Sequence, residues 1–552
     1  MEPIERNKWL LLVSSLGVLA LLIVAAVEEN VLLEWRQIQA QTRTDEGPLP
    51  VRLRQVVNPT LGVADRCVSC HVAMAPGEQN VAGAGMASHP AVVHDPSEYG
   101  CTVCHGGQGR ATRKEDAHGA VEFWPEPMLP VGMSQAGCGT CHATIGVPRR
   151  ETLDAARATF ERLDCLACHR VDGRGGTIRP DGGGMEGPDL SRVGLVGYER
   201  GWYERHQKAA SATATGPWKT SFGAVLDADR RRLDLYLSTR VGAPQLVAAK
   251  SVFHSVGCLG CHKVSGVGGD EGPDLSRGGE KDPGRVDFSV VPGPRTLAGW
   301  FAEHVRAPAA VVAGSQMPAA SASDAEVEAL TLYTLSLRRR DVAGSFLPRD
   351  RVRVSRFGER EFTSDGATLF GAFCSGCHGR QGQGRRVPGM AFPSVANPDF
   401  LAVAPDSLIV ESILRGRPGR RMRAWGDGST GLNAEDVSAI VVHLRTLAGV
   451  APPEDRRPAR WARGNESIGR KLYAASCAGC HGAAGEGGEG PALNNKILLQ
   501  FATDTYLVET ISRGRRGTAM GAFLEPSAVR RTLSPSEIGD VVTFIRSWGG
   551  PS

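Results

Sequence analysis

The chain has 552 residues, a formal net charge of +4, 41% hydrophobic and 22% charged residues, 69 Gly and 34 Pro. This composition excludes a disordered chain, the length excludes one hydrophobic core, and so small a charge on so long a chain excludes a nucleic-acid-binding protein with a concentrated basic face. The glycine and proline content points to many turns and away from extended sheet.

Trp9 to Val27 is a run of 19 uncharged residues, and at ~1.5 Å per residue such a helix crosses a hydrocarbon core of ~30 Å. Arg6 and Lys8 precede it and Glu28, Glu29 and Glu34 follow. The charge bias keeps residues 1–8 cytoplasmic, makes 9–27 a single-pass transmembrane anchor and exports the remainder. Val24-Ala25-Ala26 admits a cleaved signal peptide as the alternative. Residues 28–56, with Leu32, Leu33, Trp35 and Ile38, read as a helical neck and a Pro-containing linker.

Beyond the neck all 14 cysteines fall into seven Cys-x-x-Cys-His units. They are Cys67/Cys70/His71, Cys101/Cys104/His105, Cys138/Cys141/His142, Cys165/Cys168/His169, Cys258/Cys261/His262, Cys374/Cys377/His378 and Cys477/Cys480/His481. This is the spacing of covalent haem c attachment: two thiols near one helical turn apart each form a thioether to a porphyrin vinyl group, and the adjacent His reaches the iron. A disulfide framework would not place a His after every pair, and a zinc site would need two pairs, or two His, converging on each metal. The expected cofactors are seven covalently bound haem c groups. Because haem is attached to such chains outside the cytoplasm, the motifs agree with export.

The first cysteines stand at 67, 101, 138, 165, 258, 374 and 477, at intervals of 34, 37, 27, 93, 116 and 103 residues. Segments of ~35 residues cannot bury cores of their own. Residues 57–150 are therefore expected to form one compact trihaem module with little regular structure, its interior largely porphyrin. The four later motifs divide the rest into 151–245, 246–345, 346–455 and 456–552. In each, an apolar residue stands five positions before the first Cys, at Phe160, Phe253, Leu369 and Leu472. Each closes on an amphipathic helix: Leu233/Leu235/Tyr236/Leu237, Val327/Leu330/Tyr333, Val437/Ile440/Val441/Leu444 and Ile538/Val541/Val542/Ile545. Capping signals open two of these helices, at Ser323 to Glu326 and at Ser534 to Glu537 with Pro535 first. GPDLSR occurs at 187–192 and 272–277, with Gly490-Pro491-Ala492-Leu493 as a third version. The basic connector Arg338 to Arg360 reads as a solvated linker, with docking of an acidic partner as the alternative.

On these residues, 151–552 resembles four tandem class I cytochrome c domains. The resemblance implies an N-terminal and a C-terminal helix crossing beside one haem, a Pro-containing loop near the proximal His, and a later Met as sixth ligand. Residues 57–150, with YGCTVCHGGQGRAT at 99–112 and Ala117-His118-Gly119, resemble multihaem modules encoded beside bacterial quinol-oxidising cytochrome b complexes. The fold class expected is mainly α: one N-terminal transmembrane helix, a compact trihaem module, then four tandem class I cytochrome c-like helical domains. The place expected is the bacterial cytoplasmic membrane, with the haem domains in the periplasm or on the outer face.

His71, His105, His142, His169, His262, His378 and His481 are the proximal ligands, which leaves His89, His94, His118, His206, His254, His304 and His443. His89, His94 and His118 lie in the trihaem segment, three for three distal positions, and point to bis-His ligation, with Met74, Met86, Met128 and Met133 as competitors. Their pairing is open. The resemblance places distal Met residues before the closing helices, where Met317, Met422 and Met520 stand; Met185 and Met390 follow their motifs too closely. The Cys165/Cys168 domain has no such Met. Aligning Trp202 with Trp300 sets Lys219 opposite Met317, and Lys219-Thr220-Ser221-Phe222-Gly223 reads like Met422-Arg423-Ala424-Trp425-Gly426. Lys219 is thus the candidate sixth ligand, against His206 or an open site; its amine, with a reference pKa of ~10.4, would have to lose its proton. His254, His304 and His443 read as structural.

Six-coordinate irons leave no position for substrate, so the expected role is that of an electron-transfer protein or respiratory-complex subunit rather than a stand-alone enzyme. His/His ligation gives lower potentials than His/Met. Electrons are then expected to run from a quinol-oxidising cytochrome b complex, through the membrane-side module, to a terminal oxidase or soluble cytochrome c. The rivals are a multihaem reductase with one open iron and a direct quinol dehydrogenase.

Overall fold

The computed structural model describes residues 3–74, 81–82, 89, 92–121, 124–177, 187–195, 225–293, 295–339, 341–387 and 390–549. The described chain is mainly helical, with strands in short antiparallel pairs and one three-stranded sheet of two-residue strands. It divides into two compact units. The first is Met1–His142, Arg277–Glu303 and Thr334–Arg351, and the second is Ala143–Ser276, His304–Tyr333 and Val352–Ser552.

The first unit opens with helix α1 (Pro3–Asn30), whose apolar residues are exposed along its length and which is long and apolar enough to cross a membrane. Helix α2 (Glu34–Gln41) buries Trp35 and Gln39. The Gln39 side chain donates to the Ser69 carbonyl at 2.8 Å and accepts from the Arg52 amide at 2.9 Å. The segment read as a neck is thus fastened to the first haem motif. A hairpin of β1 (Val56–Asn58) and β2 (Val63–Asp65) leads straight into that motif, and Asp65, buried at its end, reaches the second. Its carboxylate accepts from the amides of Cys101 at 2.6 Å and Thr102 at 2.7 Å and from the Thr102 hydroxyl at 2.9 Å. With only one-turn helices and 3₁₀ segments around the motifs, such side-chain-to-backbone bonds do the work of secondary structure.

The connector from Arg338 to Arg360 is not a solvated linker. Arg338 and Asp350 are buried, Arg349–Phe357 is helical, and Phe346 meets the Tyr99 ring edge-on at 5.3 Å. Its charge pattern misled because one acid, Asp350, is taken up by a histidine inside the unit.

In the second unit the repeats are built on helix pairs. Helix α3 (Arg150–Arg162) packs on α4 (Asp227–Ser238), α7 (Gly366–Leu369) on α8 (Ala434–Ala448), and α9 (Glu466–Ser476) on α10 (Pro535–Ser547). Between these lie α5 (Pro244–Val256) and α6 (Asp324–Ser336), joined by Phe253 against Tyr333 at 4.6 Å. The same ring contact recurs as Phe160 on Tyr236 at 5.1 Å, Phe370 on His443 at 5.7 Å and Tyr473 on Phe544 at 5.4 Å. His443 thus fills an aromatic packing position. Phe160, Phe253, Leu369 and Leu472 are all buried, as the five-residue spacing before each motif predicts. The Ser323/Glu326 and Ser534/Glu537 capping boxes form. At Gly366 and Gly469 the paired helices touch so closely that a Cβ would overlap the carbonyls of Ala439 and Asp540. The equivalent positions in the first two repeats are the buried Ala156 and Ala249; next to the latter, Lys250 is fully buried, and its ammonium donates to the Ala143 and Thr144 carbonyls at 3.0 Å each and pairs with Glu361 at 3.3 Å.

Candidate haem centres

Each repeat holds its motif His by the same device. The Nδ1 atoms of His169, His262, His378 and His481 stand 3.0, 2.8, 2.9 and 2.8 Å from the carbonyl oxygens of Pro188, Pro273, Pro393 and Pro491. A backbone carbonyl only accepts, so it holds the proton on Nδ1 and leaves Nε2 with its lone pair for a metal. In three repeats Gly precedes that Pro, and the His ring leaves no room for more: a Cβ would lie 2.6 Å from His169 at Gly187, 2.5 Å from His262 at Gly272 and 2.8 Å from His481 at Gly490. A ring fixed in this tautomer beside two cysteines is the donor set of a covalent haem.

Among the attachment cysteines Cys480 alone is exposed, and Cys168 is half-buried like the other twelve. The first cysteines of these two repeats are enclosed, and burial pushes the thiols of Cys165 and Cys477 up to about 11. Cys168 stands at the end of its 3₁₀ turn. The physical reason at Cys480 is the open face of its turn, since a Cβ on the adjoining Gly479 would meet nothing within 4 Å. What fixes both residues is backbone rather than packing. The Cys168 carbonyl accepts from the Gly187 amide at 3.0 Å and the Cys480 carbonyl from the Gly490 amide at 2.9 Å, as Cys261 does from Gly272 at 2.8 Å. The same glycines thus clear the His ring and hold the second cysteine.

The distal side is best defined in the third repeat. A cleft is lined there by Cys374, Cys377 and His378 together with Met422, Phe373 and Trp425. Thiols, imidazole and thioether around one largely aromatic space fit a porphyrin with His/Met ligation. Met422 and Met520 sit in matching loops: their carbonyls accept from the amides of Arg417 at 2.6 Å and Arg515 at 2.7 Å. The text shared by the two loops, Arg-Gly-Arg-x-Gly-x-x-Met at 415–422 and 513–520, is the signal by which the sequence marks them. Met317 is half-buried in the loop before α6. Lys219 and His206 lie outside the described residues, as do Met86 and Met185.

The three unassigned histidines of the trihaem segment each face a different motif His. Ring centroids are 6.4 Å apart for His71 and His118, 6.1 Å for His105 and His89, and 6.2 Å for His142 and His94. With metal–nitrogen bonds of ~2 Å and each ring centre ~1 Å behind its nitrogen, two imidazoles on opposite sides of one iron have centroids ~6 Å apart. The observed spacing is compatible with an iron between the rings of each couple. It pairs residues that the sequence left unpaired. His142 also has a carboxylate partner, Asp350 Oδ2 at 3.3 Å from its Nδ1, with both side chains buried. The motifs themselves converge: the thiols of Cys67 and Cys101 stand within hydrogen-bond distance of each other.

His254 is buried with Nδ1 3.0 Å from the Val147 carbonyl, and burial, reinforced by Lys250, holds its pKa down to about 3. His304 lies on the helix Leu297–Arg306.

The Cytochrome c family profile matches residues 246–338 and 467–549, and that of the cytochrome c oxidase, cbb3-type, subunit III family matches 361–444. Among curated proteins the chain is 29% identical over 195 residues to the cbb3-type cytochrome c oxidase subunit FixP of Bradyrhizobium diazoefficiens. It is 28% identical over the same length to FixP of Bradyrhizobium sp. strain ORS 278 and of Azorhizobium caulinodans. Each match covers 34% of this chain and 60% of the relative, so the chain spans less than two thirds of the relatives' length. Among solved structures, a reducing HAO-like protein complex of Kuenenia stuttgartiensis aligns with 34% of this chain and 96% of that one at 20% identity, with a TM-score of only 0.24. Seven attachment motifs, imidazoles held for metal binding and family matches on three successive segments make the chain a multihaem c-type cytochrome.

Proposed function

We propose that this cytochrome binds seven haems through all fourteen cysteines, the exposed Cys480 included. In this reading α1 anchors it to a bacterial cytoplasmic membrane with its haem domains on the periplasmic or outer face, and it conducts electrons outward. When bound, the haems supply one-electron chemistry: iron alternates between ferrous and ferric. The protein supplies ligands, and its choice of ligands sets a gradient. His71/His118, His105/His89 and His142/His94 hold the low-potential end beside the anchor, whereas Met317, Met422 and Met520 serve the high-potential repeats. The observation that carries this reading is the trio of His–His couples at the spacing of an iron. If each His couple held one iron, the head would have no place for substrate, which favours transfer over catalysis. The donor proposed is a quinol-oxidising cytochrome b complex. The acceptor proposed is a terminal oxidase, of the cbb3 type in view of the FixP likeness, or a soluble cytochrome c.

For the Cys165/Cys168 haem, Lys219 is the proposed sixth ligand. Lys219→Ala should turn one low-spin haem high-spin, whereas the same result from His206→Ala would transfer the role to His206. The function is tested in membranes. Pyridine haemochrome and mass spectrometry should give seven haems per chain, and quinol should reduce them only with the cytochrome b complex present. Reduction by quinol without that complex would mean that the chain is itself the dehydrogenase.

A further inference from the structure

We propose that the haems at Cys258/Cys261 and Cys374/Cys377 form one electronically coupled pair, thioether edge to thioether edge, built by glycine packing between their two attachment turns. The proposal deepens the reading above and rests on both motifs carrying haem. The turn Cys258–Gly260 packs directly on the π turn Phe370–Cys374 and on Ser375–His378. The backbones touch at Gly257, which has φ +86°, where a Cβ would overlap the amide nitrogen of Gly376. In return, a Cβ on Gly376 would lie 2.7 Å from the Gly257 carbonyl, and one on Gly260 2.8 Å from that of Phe373. Ser375 Oγ locks the contact by donating to the Ser255 carbonyl at 2.9 Å.

The consequence falls on the second cysteine of each motif. Cys261 and Cys377 stand within hydrogen-bond distance of each other. With both haems attached, each of these sulfurs would be bonded to its own porphyrin, which would bring the two macrocycle edges together through two sulfur atoms. Gly260 and Glu271 of the second repeat also line the cleft of the third, so one repeat walls the other's haem. The arrangement is held at its rim by the Gly268 amide on the Thr430 carbonyl at 3.0 Å and by the Arg423–Asp270 ion pair. Exchange within the pair moves one electron: a ferrous iron is oxidised, a ferric one reduced, and no bond or proton changes hands.

The fourth repeat provides the control. In Cys-x-Gly-Cys-His, Gly479 occupies the position of Gly376, yet a Cβ there meets nothing within 4 Å, and the following Cys480 is exposed. The test is Soret circular dichroism of the dithionite-reduced full chain, with haem counted by pyridine haemochrome. Replacing both cysteines, Cys374→Ala with Cys377→Ala, should remove one haem, and the difference from the unmodified protein should be bisignate, as for two coupled chromophores. Gly376→Val should keep every haem and lose most of that bisignate amplitude, whereas Gly479→Val should leave it intact. A single-signed difference on haem removal, or full amplitude in Gly376→Val, would overturn the pair while leaving the haem assignment standing. An unchanged haem count in the cysteine variant would overturn both. Should Gly376→Val fail to mature, the cysteine difference spectrum decides alone.

Discussion

The trihaem head and the repeats behind it position the same imidazole–iron chemistry by opposite means. In the repeats a helix pair makes the core, a prolyl carbonyl orients each motif His, and the proposed methionine ligands stand in loops before the closing helices. In the head no comparable helix pair exists among the described residues. Orientation comes from side chains instead: Asp65 gathers the second motif's backbone, Asp350 faces His142, and histidines from intervening loops stand opposite the motif histidines. A neutral carbonyl and a buried carboxylate are not equivalent partners, since the carboxylate raises the basicity of the imidazole it holds. The contrast teaches that closely spaced motifs are held by polar side-chain contacts in place of secondary structure, and on the proposed ligation these contacts would also lower the head's potentials.

Removing a distal histidine should break the contrast most severely. His118→Ala should leave the Cys67/Cys70 haem attached but turn it high-spin and open to carbon monoxide, while every haem of the repeats stays unchanged by electron paramagnetic resonance. A still fully low-spin head would detach His118 from His71.

Asp65→Ala deletes three hydrogen bonds to a buried carboxylate, and by the usual worth of charge-assisted bonds it should destabilise the head by about 3 kcal/mol. The loss is read as an earlier denaturant midpoint of the head's haem absorbance.

Acid should single out the repeats. His254 is held neutral down to a pKa of about 3, whereas in the unfolded chain it titrates at its ordinary 6.5. Below pH 6.5 the unfolded state takes up a proton that the folded state refuses, so stability is whole above that pH and falls on acidification by up to ~1.4 kcal/mol per pH unit. Equilibrium unfolding at several pH values should show this slope, and His254→Gln should remove it.

The smallest expected effect is electronic. Asp350→Asn should raise the midpoint potential of the Cys138/Cys141 haem without changing its spin state, by weakening the carboxylate's hold on His142. A potentiometric titration that leaves this haem unmoved would reduce Asp350 to a packing role.

What was legible in the sequence is what depends on neighbours along the chain. The attachment motifs, the buried residue five positions ahead of each, the closing helices and the capping boxes at Ser323 and Ser534 are all local. What escaped is non-local. Asp350 lies 208 residues from His142, and its surroundings in sequence are so basic that the whole segment reads as solvated. The distal histidines could be counted but not paired, because nothing in their spacing encodes which motif each one crosses. Seven identical motifs likewise hide the difference between Cys377, walled by a neighbouring repeat, and Cys480, left open to solvent, because the wall comes from elsewhere in the chain. The contact of Cys261 with Cys377 was hidden because glycines in haem motifs read as turn residues, whereas here their missing side chains let two repeats touch. The Pro393 carbonyl does the work of Pro188, Pro273 and Pro491 without the Gly that marks those three.

The central claim is a division of ligands along one chain, and near-infrared magnetic circular dichroism of the oxidised full-length protein tests it most directly, because bis-histidine and histidine–methionine ferric haems absorb at separate wavelengths. The account predicts three bis-histidine and three histidine–methionine haems, with the Cys165/Cys168 haem standing apart from both groups. Fewer than three bis-histidine haems, or methionine ligation within the head, would contradict it.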